Sequence, residues 1–129
     1  MSQENLCNIP ISIGELWVKY TILLIKKERI CDTEKVARVN NEIKHLESHV
    51  EKFALSCEIQ DEMKSCNEKL WDIEDAIRDK ESLREFDGDF IELARSVYRI
   101  NDERSRIKDR ICGLFDSEIR EVKSYKSYA

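Results

Sequence analysis

LARSVYRINDERSRIKDRICGL, residues 93–114, is the stretch that decides the fold. Leu93, Val97, Ile100, Arg104, Ile107, Ile111 and Leu114 recur in alternating steps of four and three, the spacing that keeps one face of a helix against a partner. Arg104 therefore sits in an otherwise apolar seam. At about 100° per residue, Asn101 and Lys108 fall beside it. A guanidinium cannot shed its charge, so in such a place it needs a carboxylate, carbonyl groups, water or a bound anion.

Three more segments read as helices, two of them with the same periodicity. Ile59, Met63, Cys66, Leu70, Ile73 and Ile77 form one seam. Val36, Val39, Ile43, Leu46, Val50 and Phe53 form another, on a helix expected over 34–54. Residues 13–30 are apolar nearly all round, with Leu16, Trp17, Tyr20, Leu23 and Leu24 on one side and Val18, Ile22 and Ile25 on the other, which marks a helix covered by its neighbours. Ser12 followed by Glu15 predicts a capping box at its start, the hydroxyl accepting the Glu15 amide and the carboxylate returning to Ser12. The connections read as Cys31 to Thr33, a break at 55–57, and a turn over 83–89 with Asp87-Gly88 as the reversal and Asp89 as the next N-cap. The sum is an all-α protein: an antiparallel four-helix up-down bundle with a short N-terminal extended segment and a C-terminal tail. One domain covers 1–129, with 1–11 and 117–129 as tails.

Composition agrees and narrows the function. Charged residues make up 38% of the chain, with three glycines and one proline, as in long helices joined by short turns. A net charge of −5 argues against nucleic acid as partner, because phosphate neutralisation needs a basic surface. Neither a signal peptide nor an apolar run long enough for a bilayer is present, so no membrane is expected and the location is read as cytoplasmic. The five cysteines contain no CxxC pair and read as small hydrophobes in a reducing compartment. His45 and His49 share the outward face of their helix without a fixed third ligand, so no metal and no cofactor is expected. Phosphate-loop, dinucleotide and hydrolase motifs are missing.

Four blocks, PISIGELWVKYTILLIKKERI, LWDIEDAIRDKE, FIELARSVYRINDERSRIK and EVKSY, resemble those of a small, functionally uncharacterised family of all-helical proteins, mostly bacterial. The resemblance implies a single all-helical domain and carries no activity, cofactor or catalytic residue.

Three readings follow for the polar residues. Glu15 and Lys19 of the first helix, Trp71, Glu74 and Arg78 of the third, and Asn101, Arg104 and Lys108 of the fourth border the core and could converge. In the first reading Arg104 is satisfied by Glu15, Glu28 or Glu74 and sets helix register. In the second the protein is a structural or interaction module, meeting a protein partner or a second copy of itself through the first helix and the aromatic edge of Trp17, Trp71 and Tyr98. In the third Arg104, Lys108 and Lys19 hold a small carboxylate or phosphate, Glu15 or Glu74 handles protons, and Trp71 or Tyr98 supplies a wall. A structural or protein-interaction module, as in the first two readings, is the leading expectation, anion binding the alternative, and catalysis the weakest.

Overall fold

Four helices follow one another in the computed structural model, which describes residues 5–128: α1 Ile13–Arg29, α2 Thr33–Lys52, α3 Cys57–Leu83 and α4 Gly88–Leu114. Part of the expected N-terminal tail, 1–4, and residue 129 lie outside the described residues. Each helix starts at a side chain suited to accept its orphan amides. Ser12, Asp32, Ser56 and Asp87 are the N-caps, accepting from the amides of Glu15, of Glu34 and Lys35, of Ile59 and of Phe90. Acidic residues follow in every first turn, where they meet the positive end of the helix dipole.

Short connections force consecutive helices to reverse, and the cross-chain bonds record the result. Ile13 meets Ser117, Gly14 meets Cys112 and Glu15 meets Lys108, so α1 runs antiparallel to α4. Glu62 meets Arg110, Cys66 meets Ile100 and Asn67 meets Arg104, so α3 and α4 form an antiparallel hairpin. The protein is an all-α up-down bundle with α1 at its centre: α1 packs against all three other helices, and α2 packs against α1 alone. The core joins Leu16, Trp17 and Val18 to Val50, Leu55, Met63, Cys66, Ile107 and Ile111, and a smaller cluster of Leu23, Val39 and Ile43 seals α1 to α2. Met63 and Ile111 have no exposed surface, so truncating either to alanine would cost about 2–5 kcal/mol.

Length decides the rest of the shape. At 1.5 Å per residue α1 spans roughly 26 Å and α3 and α4 roughly 40 Å each, so the α3–α4 hairpin outruns the helix it packs on. Its surplus is an arm, and from residue 71 to residue 106 no side chain is fully buried. Half-buried Ile73, Ile77, Leu93 and Val97 line the arm.

Two local expectations are corrected. Gly88 is not the reversal, and Asp89 is not the cap. Arg84 adopts the left-handed conformation (φ 54°, ψ 37°), the Glu85 amide returns to the Lys80 carbonyl, and Asp87 then caps α4 with Gly88 already helical. Lys80 secures this turn by reaching both Glu85 (3.2 Å) and Asp87 (2.9 Å). The capping box of α1 is half realised: Ser12 Oγ accepts the Glu15 amide at 3.0 Å, but the Glu15 carboxylate turns to Lys108. Other acceptors complete the helix start. The Ile13 amide donates to Ser117 Oγ at 3.1 Å and the Gly14 amide to Cys112 Sγ at 3.3 Å.

Candidate functional site

Where α1 leaves the hairpin, a cleft of about 490 Å³ opens between α1, α3 and α4. Ile22, Asn67, Leu70, Trp71, Glu74, Asp75, Arg78, Val97, Asn101 and Arg104 line it. Five residues singled out in the sequence, Trp71, Glu74, Arg78, Asn101 and Arg104, thus meet here.

Arg104 is held by amides. Its Nη1 donates to Asn67 Oδ1 and its Nη2 to Asn101 Oδ1, both at 3.0 Å. Behind it the chain of bonds continues into the core: Asn67 Nδ2 donates to Thr21 Oγ1 at 2.9 Å, and that hydroxyl donates to the Trp17 carbonyl at 2.7 Å. Asn67 and Thr21 are buried, so the guanidinium is braced by a relay that cannot swing without breaking interior bonds. Among the described residues no carboxylate stands within 4.0 Å of Arg104. The three candidates named for that role are engaged elsewhere: Glu15 with Lys108, Glu28 with Lys64 (2.6 Å) and Glu74 with Arg78 (2.6 Å). Two of the five guanidinium N–H donors are used, and the others have no protein acceptor among the described residues.

Arg29 braces the other side of Trp71. Its guanidinium lies 5.7 Å from the ring centroid while it bonds Asp72 at 2.7 Å and approaches Glu68 at 3.7 Å. The Asp72 hydrogen bond, and then the charges of Asp72, Glu68 and Asp75, raise the Arg29 pKa. Glu68 and Asp72 therefore fasten the end of α1 to α3.

The remaining predicted residues sit elsewhere. Lys108, one turn beyond Arg104, is buried at the start of α1, where it bonds Glu15 Oε2 at 3.3 Å and Glu121. The Lys108 ammonium, followed by that of Lys123, holds the Glu121 carboxyl below the usual range. Lys19 is exposed and 3.8 Å from Glu15. Lys108 is thus doubly compensated, so it offers no free charge to a ligand. Tyr98 packs edge-on to Tyr128 with ring centroids 4.9 Å apart. The C-terminal stretch lies along α4: Ser117 is buried, Arg120 approaches Asp109 at 3.5 Å, and Tyr128 reaches Tyr98. A second groove, about 540 Å³, lies beneath it, with Arg106, Lys108, Arg120, Lys123 and Lys126 facing Asp102, Asp109 and Glu121; Arg120 pairs with Asp109, and Lys108 and Lys123 share Glu121.

Sequence reasoning missed Asn67 and Thr21, and placed Asp75 only in a solvent-facing acidic lane with Glu68, Asp72 and Asp79; Asp75 is exposed and also lines the cleft. Asn67 had a signal, since it stands four residues after Met63 and three before Leu70 and so occupies a seam position. Thr21 follows Trp17 by one turn inside an apolar helix. His45 and His49 are exposed on α2, and among the described residues no three His, Cys, Asp or Glu side chains are grouped to hold a metal ion. Burial pushes the Cys66 thiol up, leaving it a weak donor to the Ile100 carbonyl at 3.6 Å. No helix among the described residues is long and apolar enough to cross a membrane.

Neither a curated protein nor a solved structure matches the chain. A family model does, over residues 7–128, and its span takes in all four helices, the cleft and the C-terminal stretch. On that match the chain belongs to the Family of unknown function (DUF6165).

Proposed function

We propose that the protein binds a small organic anion, whose carboxylate or phosphate is received by Arg104 in the cleft between α1, α3 and α4. One observation carries this reading: the guanidinium is fixed in place by two amide oxygens and, among the described residues, has no carboxylate within 4.0 Å. Amide oxygens orient a guanidinium but do not cancel its charge, so the free donors remain suited to a planar, two-oxygen acceptor. Trp71 offers an apolar wall beside them. Catalysis finds less support, because Glu74 is tied to Arg78 and, among the described residues, no carboxyl stands within 4.0 Å of Arg104 to move a proton beside it. The test is a thermal-shift titration with hexanoate, succinate and inorganic phosphate. A ligand at a hundred times its Kd stabilises by about 2.7 kcal/mol, which is several degrees in Tm for a chain of this size. At least one probe raises Tm in the wild type and fails to do so in Arg104→Gln. A flat response across the panel, or a shift that survives the substitution, refutes the reading.

A second reading, self-association, draws on a different observation. The apolar surplus expected on the first helix is covered, and Trp17 is buried with its Nε1 donating to the Phe53 carbonyl at 2.9 Å. Exposed apolar side chains gather instead at the tip of the arm, where Leu83, Phe86 and Ile91 are 66%, 57% and 57% exposed. Light scattering tests it: a dimer that Leu83→Glu with Phe86→Ser converts to monomer supports it, and a strict monomer at high concentration removes it.

A further inference from the structure

Four charged side chains line the Arg104 cleft, two of each sign, so a ligand entering it meets no net charge. Glu74 and Arg78 cancel each other at 2.6 Å. That leaves two groups with no ion-pair partner within 4.0 Å among the described residues, Arg104 and Asp75. Asp75 lies in the field of Arg29, beside which Asp72 at 2.7 Å and Glu68 at 3.7 Å stand closer. Asn67, which holds Arg104, and Asp75 stand eight residues apart on α3, about 12 Å along its axis. Trp71 lies midway on the same helix face, and Leu70 and Val97 add apolar surface to the lining.

We infer that the ligand is an extended zwitterion, with its carboxylate on Arg104, its ammonium on Asp75 and an apolar middle against Trp71. The inference rests on the anion-binding reading and narrows it. A dianion such as phosphate would bring two negative charges into a cleft whose own charges sum to zero, with Asp75 repelling it. A simple amine would face Arg104. A molecule carrying both signs at its two ends answers both groups, and the apolar stretch between them suits a methylene chain.

Calorimetric titration of three probes of one chain length, hexanoate, ε-aminohexanoate and hexylamine, tests this on wild type, Arg104→Gln and Asp75→Asn. Asp75 is exposed and makes no hydrogen bond, so its substitution leaves the fold intact, which circular dichroism checks. A half-exposed ion pair is worth up to about 1 kcal/mol, so the wild type binds ε-aminohexanoate about two- to fivefold more tightly than hexanoate. Asp75→Asn binds the two equally, and Arg104→Gln loses both. Equal affinity for the two in the wild type overturns the zwitterion and leaves anion binding standing. A preference that persists in Asp75→Asn also overturns it. Absence of binding by every probe overturns both readings together.

Discussion

Replacing Asn67 by Asp separates the function of the cleft from the stability of the bundle. The two side chains have the same shape, so no packing changes around the buried position. What changes is charge. Oδ1 still receives Arg104 Nη1 at 3.0 Å, now as a charge-assisted pair. The former Nδ2 becomes an acceptor facing Thr21 Oγ1 at 2.9 Å, and the hydroxyl must turn its only hydrogen from the Trp17 carbonyl toward the new carboxylate. The Trp17 carbonyl keeps its helical amide partner, so the exchange costs about one neutral hydrogen bond, roughly 1 kcal/mol. The new ion pair, partly offset by the cost of burying a carboxylate, contributes a similar amount of opposite sign. Net stability stays within about 1 kcal/mol of the wild type, whereas Arg104 now has its anion built in. If an incoming carboxylate gains the ~1.5–3 kcal/mol of a hydrogen bond between charged groups, its affinity falls by roughly 10- to 100-fold. Urea denaturation measures the first quantity and calorimetry with hexanoate or ε-aminohexanoate the second. Unchanged affinity in a folded Asn67→Asp protein would show that Arg104 does not receive the ligand, and a loss of more than about 3 kcal/mol of stability would refute the relay.

Other consequences are open to simpler assays. A Cβ on Gly14 would stand 2.5 Å from Lys108 Cγ and 3.0 Å from Cys112 Sγ, and closer still to the Lys108 carbonyl oxygen. Gly14→Ala should therefore cost about 1–3 kcal/mol in chemical denaturation, whereas Gly88→Ala, with nothing within 4 Å, should change stability by less than about 1 kcal/mol. The Glu121 carboxyl is held below its ordinary value of 4.5 by Lys108, so the stability it contributes is present above that pH and is lost as pH falls through the lower, folded pKa. Tm measured from pH 7 down to about 3 should fall less steeply in Glu121→Gln than in the wild type. Cys7, Cys31 and Cys57 are exposed while Cys66 and Cys112 are buried, so brief maleimide treatment followed by mass spectrometry should find the first three labelled and the last two modified only in denaturant.

The helices were legible because their signals are local. Ser12 and the 3–4 seams of α2 and α3 depend on neighbours within a turn or two, and the structure keeps them with ends displaced by one or two residues. Tertiary competition decided the exceptions. Glu15 would have closed a capping box on its own helix, but Lys108 arrives from α4 with a full charge and draws the carboxylate away. Asp87-Gly88 is the stronger turn signal in the sequence, yet Lys80 bonded to both Glu85 and Asp87 closes α3 several residues earlier, on Arg84. The site was half legible for the same reason. Trp71, Glu74, Arg78, Asn101 and Arg104 share helix faces that periodicity reveals, but which carboxylate meets which cation depends on register between helices, and periodicity along one chain does not contain it.

The position of Arg104 in its seam follows from the unequal lengths of the helices. On the body side, Ile107 and Ile111 are buried because α1 covers them; on the arm side, Leu93 and Val97 are only half-buried because α1 has departed. Arg104 stands at the change-over, where one side of its side chain meets the core through Asn67 and Thr21 and the other opens to the cleft. A leucine there would be half exposed and would leave Asn67 Oδ1 without its donor at the edge of the core. A charged side chain braced from behind suits the boundary better, and the same bracing holds its free donors still. The interruption of the apolar seam, which in a uniformly covered helix would be a defect, here marks the end of coverage, and that geometry makes the guanidinium available to a ligand.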